Sequence, residues 1–160
     1  ERDYYTKTKT ECLENMPSRD IYHQCVVGAL QKDGWTITDD PLYLAFAGVD
    51  FYVDLGAERL LAANRGEEKI AVEIKTFQRA SVIAEFHTAL GQFMNYRLAL
   101  TNNEPDRTLY LAVPEETYLS FFQKPFGQIA IQHYELKLII YRISTQEIVT
   151  WINSRNTAKP

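Results

Sequence analysis

Glu73-Ile74-Lys75 sets a carboxylate and an ammonium two residues apart in the alternating run Lys69-Ile70-Ala71-Val72-Glu73-Ile74-Lys75. Residues two apart on a strand project from the same face, so these charges stand side by side. A solvated strand face can look the same, and so short a motif gains meaning only from its neighbours. Asp54, in Phe51-Tyr52-Val53-Asp54-Leu55, is the first of them. Read as a strand, Phe51, Val53 and Leu55 face one way and Tyr52 and Asp54 the other. Two carboxylates drawn together suit a hard cation that prefers oxygen, Mg²⁺ or Mn²⁺. The alternative role for Asp54 is to turn the chain before Gly56. A hairpin closing near Arg65 sets Glu58, not Asp54, opposite Glu73. Gly56 then has to admit a bulge for Asp54 to reach, and Glu58 stands as the substitute ligand.

A further group lies downstream. Glu85, Ala89, Gln92 and Tyr96 follow one another at spacings of four, three and four, one stripe of a helix. The Gln92 amide and Tyr96 phenol can hydrogen-bond a phosphate or a metal-bound water; without context they read first as a helix boundary where Gln92 caps a strand edge and Tyr96 packs. Other reactive residue types lack partners. His87 and His133 have none at ligand spacing, so no zinc site is expected. Cys25 reads as a small core residue. No Gly-x-Ser-x-Gly or phosphate-binding glycine loop occurs, which leaves serine hydrolases and P-loop ATPases without support. The ten tyrosines are scattered along the chain rather than grouped as a base-stacking platform. Phe121-Phe122 with Pro125-Phe126 forms an apolar cluster suited to core or to a dimer surface.

The elements that must carry these residues follow from periodicity. Ser18 caps a helix over Asp20–Lys32, with Tyr22, Val26, Ala29 and Leu30 on one stripe, and Asp33-Gly34 stops it. Trp35–Thr38 begins a strand, Asp39-Asp40-Pro41 turns, and Leu42–Phe46 forms a short second strand. Phe51–Leu55 and Lys69–Lys75 read as a hairpin around Asn64-Arg65-Gly66. A helix over Ser81–Leu100 buries Val82, Ile83, Phe86, Leu90, Phe93 and Met94. Thr108–Val113 is a strand ended by Pro114, Glu115–Phe122 a short helix, and Leu136–Ile143 with Ile148–Ile152 a terminal hairpin. This order predicts a mixed α/β layer fold.

The 160 residues suffice for one domain that buries roughly two-thirds of its unfolded surface. Composition is that of an ordinary globular chain, 46% hydrophobic and 24% charged, which excludes disorder and low complexity. The longest apolar runs, such as Leu109–Val113, fall far short of the roughly 18 residues of a membrane span. The opening Glu1-Arg2-Asp3 is unlike a signal peptide, and two cysteines, Cys12 and Cys25, allow at most one bridge. Together these point to the cytoplasm and reduced thiols. A net charge of −4 excludes an indiscriminate coat on nucleic acid, but not an enzyme gripping DNA through one basic patch. Residues 1–17 read as an extension, 18–152 as the domain, and 153–160 as a polar tail.

An acid on one strand, Glu-x-Lys on the next and Gln-x-x-x-Tyr on the following helix resemble the PD-(D/E)xK nuclease superfamily. More closely, Lys32-Asp33-Gly34-Trp35-Thr36-Ile37-Thr38, Asp54-Leu55-Gly56-Ala57-Glu58-Arg59, Ile70–Lys75, Ala89-Leu90-Gly91-Gln92 and Leu109–Pro114 resemble the XisH family. That family comprises the fdxN element excision controlling factors of cyanobacteria. The similarity runs from about Arg19 to Ile152. It implies a restriction-endonuclease-like three-layer core, a mixed central sheet flanked by helices, with a C-terminal β-hairpin. It also implies control of a programmed DNA excision beside a site-specific recombinase and a companion factor, XisI. The resemblance further implies a homodimer. The superfamily's frequent extra acid on the first helix is missing here, where only Asp20 and Asp33 flank the helix and His23 is a stand-in. In an active site of this kind, Asp54, Glu73 and the Ile74 carbonyl would hold Mg²⁺ or Mn²⁺. Lys75 would orient a water, Gln92 and Tyr96 would position the phosphate, and Arg79 and Arg97 would contact the backbone. The alternative is a non-catalytic factor that binds DNA or XisI through the same fold.

Overall fold

The structure, a computed structural model, describes residues 18–60 and 66–153. The expected extension over 1–17, the tail beyond Asn153 and the Asn64-Arg65 part of the turn lie outside the described residues. Helix α1 (Ser18–Lys32) stops where Asp33-Gly34 predicts. Gly34 takes φ 91°, a left-handed conformation open to a residue without Cβ, and the Trp35 N–H donates back to the Leu30 carbonyl at 3.0 Å. Five strands follow: β1 (Thr36–Asp39), β2 (Leu42–Phe46), β3 (Val49–Val53), β4 (Leu55–Leu60) and β5 (Glu67–Ile74). Helix α2 (Val82–Asn103) crosses over to β6 (Arg107–Pro114). Next come α3 (Glu115–Thr117), a π-helical turn (Tyr118–Phe122), α4 (Pro125–His133), β7 (Leu138–Arg142) and β8 (Glu147–Ile152). No helix among the described residues is long and apolar enough to cross a membrane.

The main sheet runs β1-β4-β5-β6-β7-β8, with β5, β6 and β7 parallel and the outer pairings antiparallel. Strands β2 and β3 form a separate two-stranded sheet. Both faces of the main sheet are covered. On one side Cys25, Val26 and Leu30 of α1 pack with Trp35 against Leu55, Ile70, Val72, Ala112 and Ile139. On the other, Phe86, Ala89, Phe93 and Tyr96 of α2 and Ala130 and Ile131 of α4 pack against Ala71, Leu109, Leu111 and Ile140. The expected three-layer α/β arrangement with its C-terminal hairpin is therefore present. Strand β5 lies at the centre of the sandwich, and Ile70, Ala71, Val72 and Glu73 are all buried, as a strand covered on both faces requires.

Four details differ from the periodicity reading. Phe51–Leu55 is not one strand, because the chain bends at Asp54 between β3 and β4. Val53 accordingly joins the α2-side core and Leu55 the α1-side core. The residues before the bend pair with β2, leaving β4 as the hairpin partner of β5. On α2 the buried residues are Phe86, Ala89, Phe93, Tyr96, Ala99 and Leu100, while Val82, Ile83 and Met94 are exposed and Leu90 is half-buried. The helix is rotated toward the β2–β3 sheet, whose Leu42, Leu44 and Val53 cover that side. Finally, α4 occupies a stretch to which periodicity assigns no element. It packs closely on the π-helical turn, since a Cβ on Gly127 would lie 2.5 Å from the Phe122 Cα.

Candidate active site

The hairpin register decides how the acids meet. Leu55 pairs with Val72 and Glu58 with Lys69, so the next position outward sets Asp54 beside Glu73 with no bulge in β4–β5. The expected Glu58–Glu73 opposition is thus corrected, because the observed pairing is offset from it by four residues. Glu58 instead faces Arg107, its carboxylate 3.7 Å from the guanidinium, away from the other acids. At the bend, Asp54 Oδ2 accepts the Ile74 N–H at 2.8 Å, while the Asp54 N–H donates to Glu73 Oε2 at 3.3 Å. These reciprocal bonds fix both side chains to the end of β5. Lys75 projects from the same side as Glu73, its Nζ 3.6 Å from Glu73 Oε1. Its own N–H continues the β5–β6 ladder by donating to the Ala112 carbonyl at 3.0 Å.

The chain then turns sharply. Phe77 adopts φ 56°, unusual for a bulky residue, and is held by its stack on Phe121 and its edge contact with Phe122. This turn brings Arg79, Ala80 and Ser81 round to face the end of β5. Ser81 caps α2 by accepting the Ala84 N–H, and Glu85 accepts the Arg79 N–H at 3.2 Å. The result is a cleft of about 670 Å³ between the N-terminal halves of α1 and α2. Asp54, Glu73, Ile74 and Lys75 form its floor, and His23, Arg79, Glu85, Thr88 and Gln92 are among its walls.

Glu73 is only 6% exposed. Its pKa is pushed up to about 8, first by burial and then by the charge of Asp54, while Lys75 and the Asp54 N–H pull the other way. At neutral pH the cleft therefore holds an acid that binds its proton unless further positive charge arrives. The Gln92 Oε1 is also buried and has no hydrogen-bond partner in the structure. An orphaned carbonyl oxygen and a reluctant carboxylate fit a hard cation with its water shell, since both are oxygen donors in want of positive charge. Among the described residues no three His, Cys, Asp or Glu side chains converge as a metal cluster. The donor set here is a carboxylate pair.

Five sequence candidates therefore come together: Asp54, Glu73, Ile74, Lys75 and Gln92. Tyr96 does not line the cleft. It lies in the α2-side core edge-on to Phe51, with its phenol pushed up to about 12 by burial and by the charges of Glu73 and Asp54. Arg97 is turned away, donating to the Tyr134 and Glu135 carbonyls after α4. Arg79 does reach the cleft. His23 lines it too, but its Nε2 sits 2.9 Å from an Asp40 oxygen, which ties α1 to the β1–β2 turn. Two residues of the site fall outside the sequence motifs: Thr88, which lines the cleft, and Asp40, which braces His23 of its wall. Thr88 follows Glu85 by three and Ala84 by four, so the helical stripe through Gln92 could have found it; Asp40 carried no such signal.

Comparisons with known proteins agree with one another. A family model described as XisH protein matches residues 16–149. The chain is similar to a solved XisH family protein from Nostoc punctiforme, with 50% identity, a TM-score of 0.76, and coverage of 83% of this chain and 99% of that one. It is also similar to the crystal structure of an fdxN element excision controlling factor protein from Anabaena variabilis. There the identity is 50%, the TM-score 0.77, and the coverage 84% of this chain and 99% of the other. No curated protein matches.

Proposed function

The chain belongs to the XisH family, and from that premise we propose that it controls excision in a programmed DNA rearrangement through a metal-dependent phosphodiesterase site. The observation that carries this reading is the buried Glu73, held between Asp54 and Lys75 at the end of the central strand. A scaffold gains little from burying an acid whose charge raises the folding cost, whereas a phosphoryl-transfer site needs such a group. Asp54, Glu73 and the Ile74 carbonyl would hold Mg²⁺ or Mn²⁺. When bound, the ion supplies the charge that polarises a phosphodiester and acidifies a water. Lys75, next to Glu73, orients that water or meets negative charge growing on the phosphate oxygens. Gln92 offers its amide from the α2 wall, and the exposed Arg79 contacts the nucleic-acid backbone at the cleft mouth. Tyr96, outside the cleft, contributes packing in the α2-side core.

The test is calorimetric titration of Mn²⁺ into the wild type and Glu73→Gln, followed by nicking assays on supercoiled DNA. The reading expects saturable binding that Glu73→Gln abolishes and Mn²⁺-dependent nicking that Lys75→Ala abolishes. Metal binding unaffected by Glu73→Gln, or nicking that survives both changes, overturns it.

A second reading is favoured by one observation. The acids form a pair and not a cluster, and Asp54 already spends one oxygen on the Ile74 N–H. On this reading the chain is a non-catalytic cytoplasmic factor, working as a homodimer that binds DNA or an XisI-like companion and directs a site-specific recombinase. Asp54→Asn and Glu73→Gln would then leave DNA and companion binding intact.

A further inference from the structure

The β2–β3 sheet has two unlike faces. Its inner face, with Leu42, Leu44 and Val53, is buried against α2. Its outer face carries Tyr43 and Tyr52, directly paired across the strands and with ring centroids 5.4 Å apart. They are 52% and 59% exposed, among the most exposed large side chains described. The Tyr43 hydroxyl donates to Asp50 Oδ1 at 2.7 Å, which pins that ring and engages the nearest negative charge. The tyrosines that look scattered in sequence are here brought together by the hairpin.

The position of the pair gives it meaning. Tyr52 precedes the bend residue Asp54 by two, so their backbones are at most about 7 Å apart. At the other strand, Tyr43 follows by three the Asp40 that holds His23 of the cleft wall. The pair therefore lies beside the cleft and not in it: neither ring is among the lining residues, but two residues of chain join Tyr52 to Asp54 on the floor. Cross-strand pairing accounts for the rings touching each other. It leaves unexplained why two large π-faces stand in water so few residues from the cleft.

We propose that Tyr43 and Tyr52 form a stacking platform for an unpaired nucleobase, so that the cleft acts on a nucleic-acid strand that is single or splayed beside the scissile phosphate. The inference rests on the phosphodiesterase reading and adds its substrate class. An aromatic ring stacks on any base with a free face, and bases inside a duplex have none to offer. Lys75 and Arg79 would meet the phosphates, while the tyrosines hold the neighbouring base without regard to sequence.

The test measures binding rather than cleavage. Fluorescence anisotropy with a labelled oligothymidylate and with a duplex of equal length, both in Ca²⁺, is compared for the wild type, Tyr52→Leu, Tyr52→Trp and Glu73→Gln. Tyr52→Leu keeps an apolar side chain on the strand and removes the ring. It is expected to weaken single-strand binding by about 5- to 100-fold and leave duplex binding unchanged, while Tyr52→Trp binds as tightly as the wild type. Equal single-strand affinity in the wild type and Tyr52→Leu overturns the platform, as does a Tyr52→Leu shift from dimer to monomer in sedimentation, which would make this face a self-association surface. If the wild type binds in a manner that needs Glu73 but not Tyr52, the platform alone fails. If the wild type binds no nucleic acid, the phosphodiesterase reading fails with it.

Discussion

Replacing Glu73 with glutamine keeps the shape and the acceptor for the Asp54 N–H but removes the ability to ionise, so its effect on stability must depend on pH. The native carboxyl is pushed up from an ordinary 4.5 to about 8, with burial as the leading cause. Because the folded pKa is raised, Glu73 contributes stability that is fully present below about pH 4.5 and is lost as pH rises through about 8. Three and a half decades of proton affinity would give about 5 kcal/mol, and relaxation around the charge reduces this to something on the order of 3 kcal/mol. The lost ion pair with Lys75, a partly exposed group, offsets less than about 1 kcal/mol. Subtracting the wild-type melting curve from that of Glu73→Gln cancels the other titrating groups. The difference should grow by roughly 6 to 12 °C in favour of the variant between about pH 5 and about pH 9, and level off above that. Thermal unfolding followed by circular dichroism measures it. Millimolar Mg²⁺ should close the gap at alkaline pH by stabilising only the wild type. Parallel wild-type and variant profiles across this range would refute the reasoning, since they would mean that Glu73 ionises as it does in the unfolded chain.

Other outcomes follow from the same geometry. Lys75→Ala should lower Mn²⁺-dependent nicking by at least about a hundredfold while changing stability by less than about 1 kcal/mol, measured by gel assay and denaturant titration. Gln92→Leu removes a buried oxygen that lacks a partner, so the denaturant midpoint should hold or rise by the equivalent of about 1 kcal/mol; a clear fall would mean that the amide is satisfied in solution. Gly127→Ala forces a Cβ to within 2.6 Å of the Phe121 carbonyl and the Phe122 backbone, and should cost roughly 3 kcal/mol or more in a thermal melt.

Much of this was legible in the chain because it depends on local rules. The two-residue period alone puts Glu73 and Lys75 together, and Asp33-Gly34 alone stops α1. The misplaced features depend on where one element meets another. An apolar count along α2 favours Val82, Ile83 and Met94, yet the β2–β3 sheet covers the side that carries Tyr96. That drew one member of the polar stripe into the core and left Gln92 at the boundary. The alternation through Phe51–Leu55 is real up to Val53, but no period can announce that Asp54 bends the chain between two sheets. The hairpin register followed from an assumed turn position, and the observed pairing, offset from it by four residues, exchanges Glu58 for Asp54. Arg97 has the composition of a phosphate contact, while its use as a cap on the carbonyls after α4 depended on a helix hidden by Pro125 and Gly127.

The two acids also differ from the rest of the cleft in how early they can meet. Asp54 and Glu73 are 19 residues apart and join through the antiparallel β4–β5 hairpin, a short loop to close. The parallel β5–β6 pairing matches residue 70 with residue 108 and must wait for α2 to cross over. During chain collapse the carboxylates can thus gather while still wet, and the dehydration that makes Glu73 hold its proton arrives with α2. Docking of that helix is therefore the step in folding that carries the electrostatic burden. Its rate is where alkaline pH should be felt, slowing refolding while leaving hairpin formation untouched, and a divalent ion captured beforehand by the open hairpin would lift that barrier.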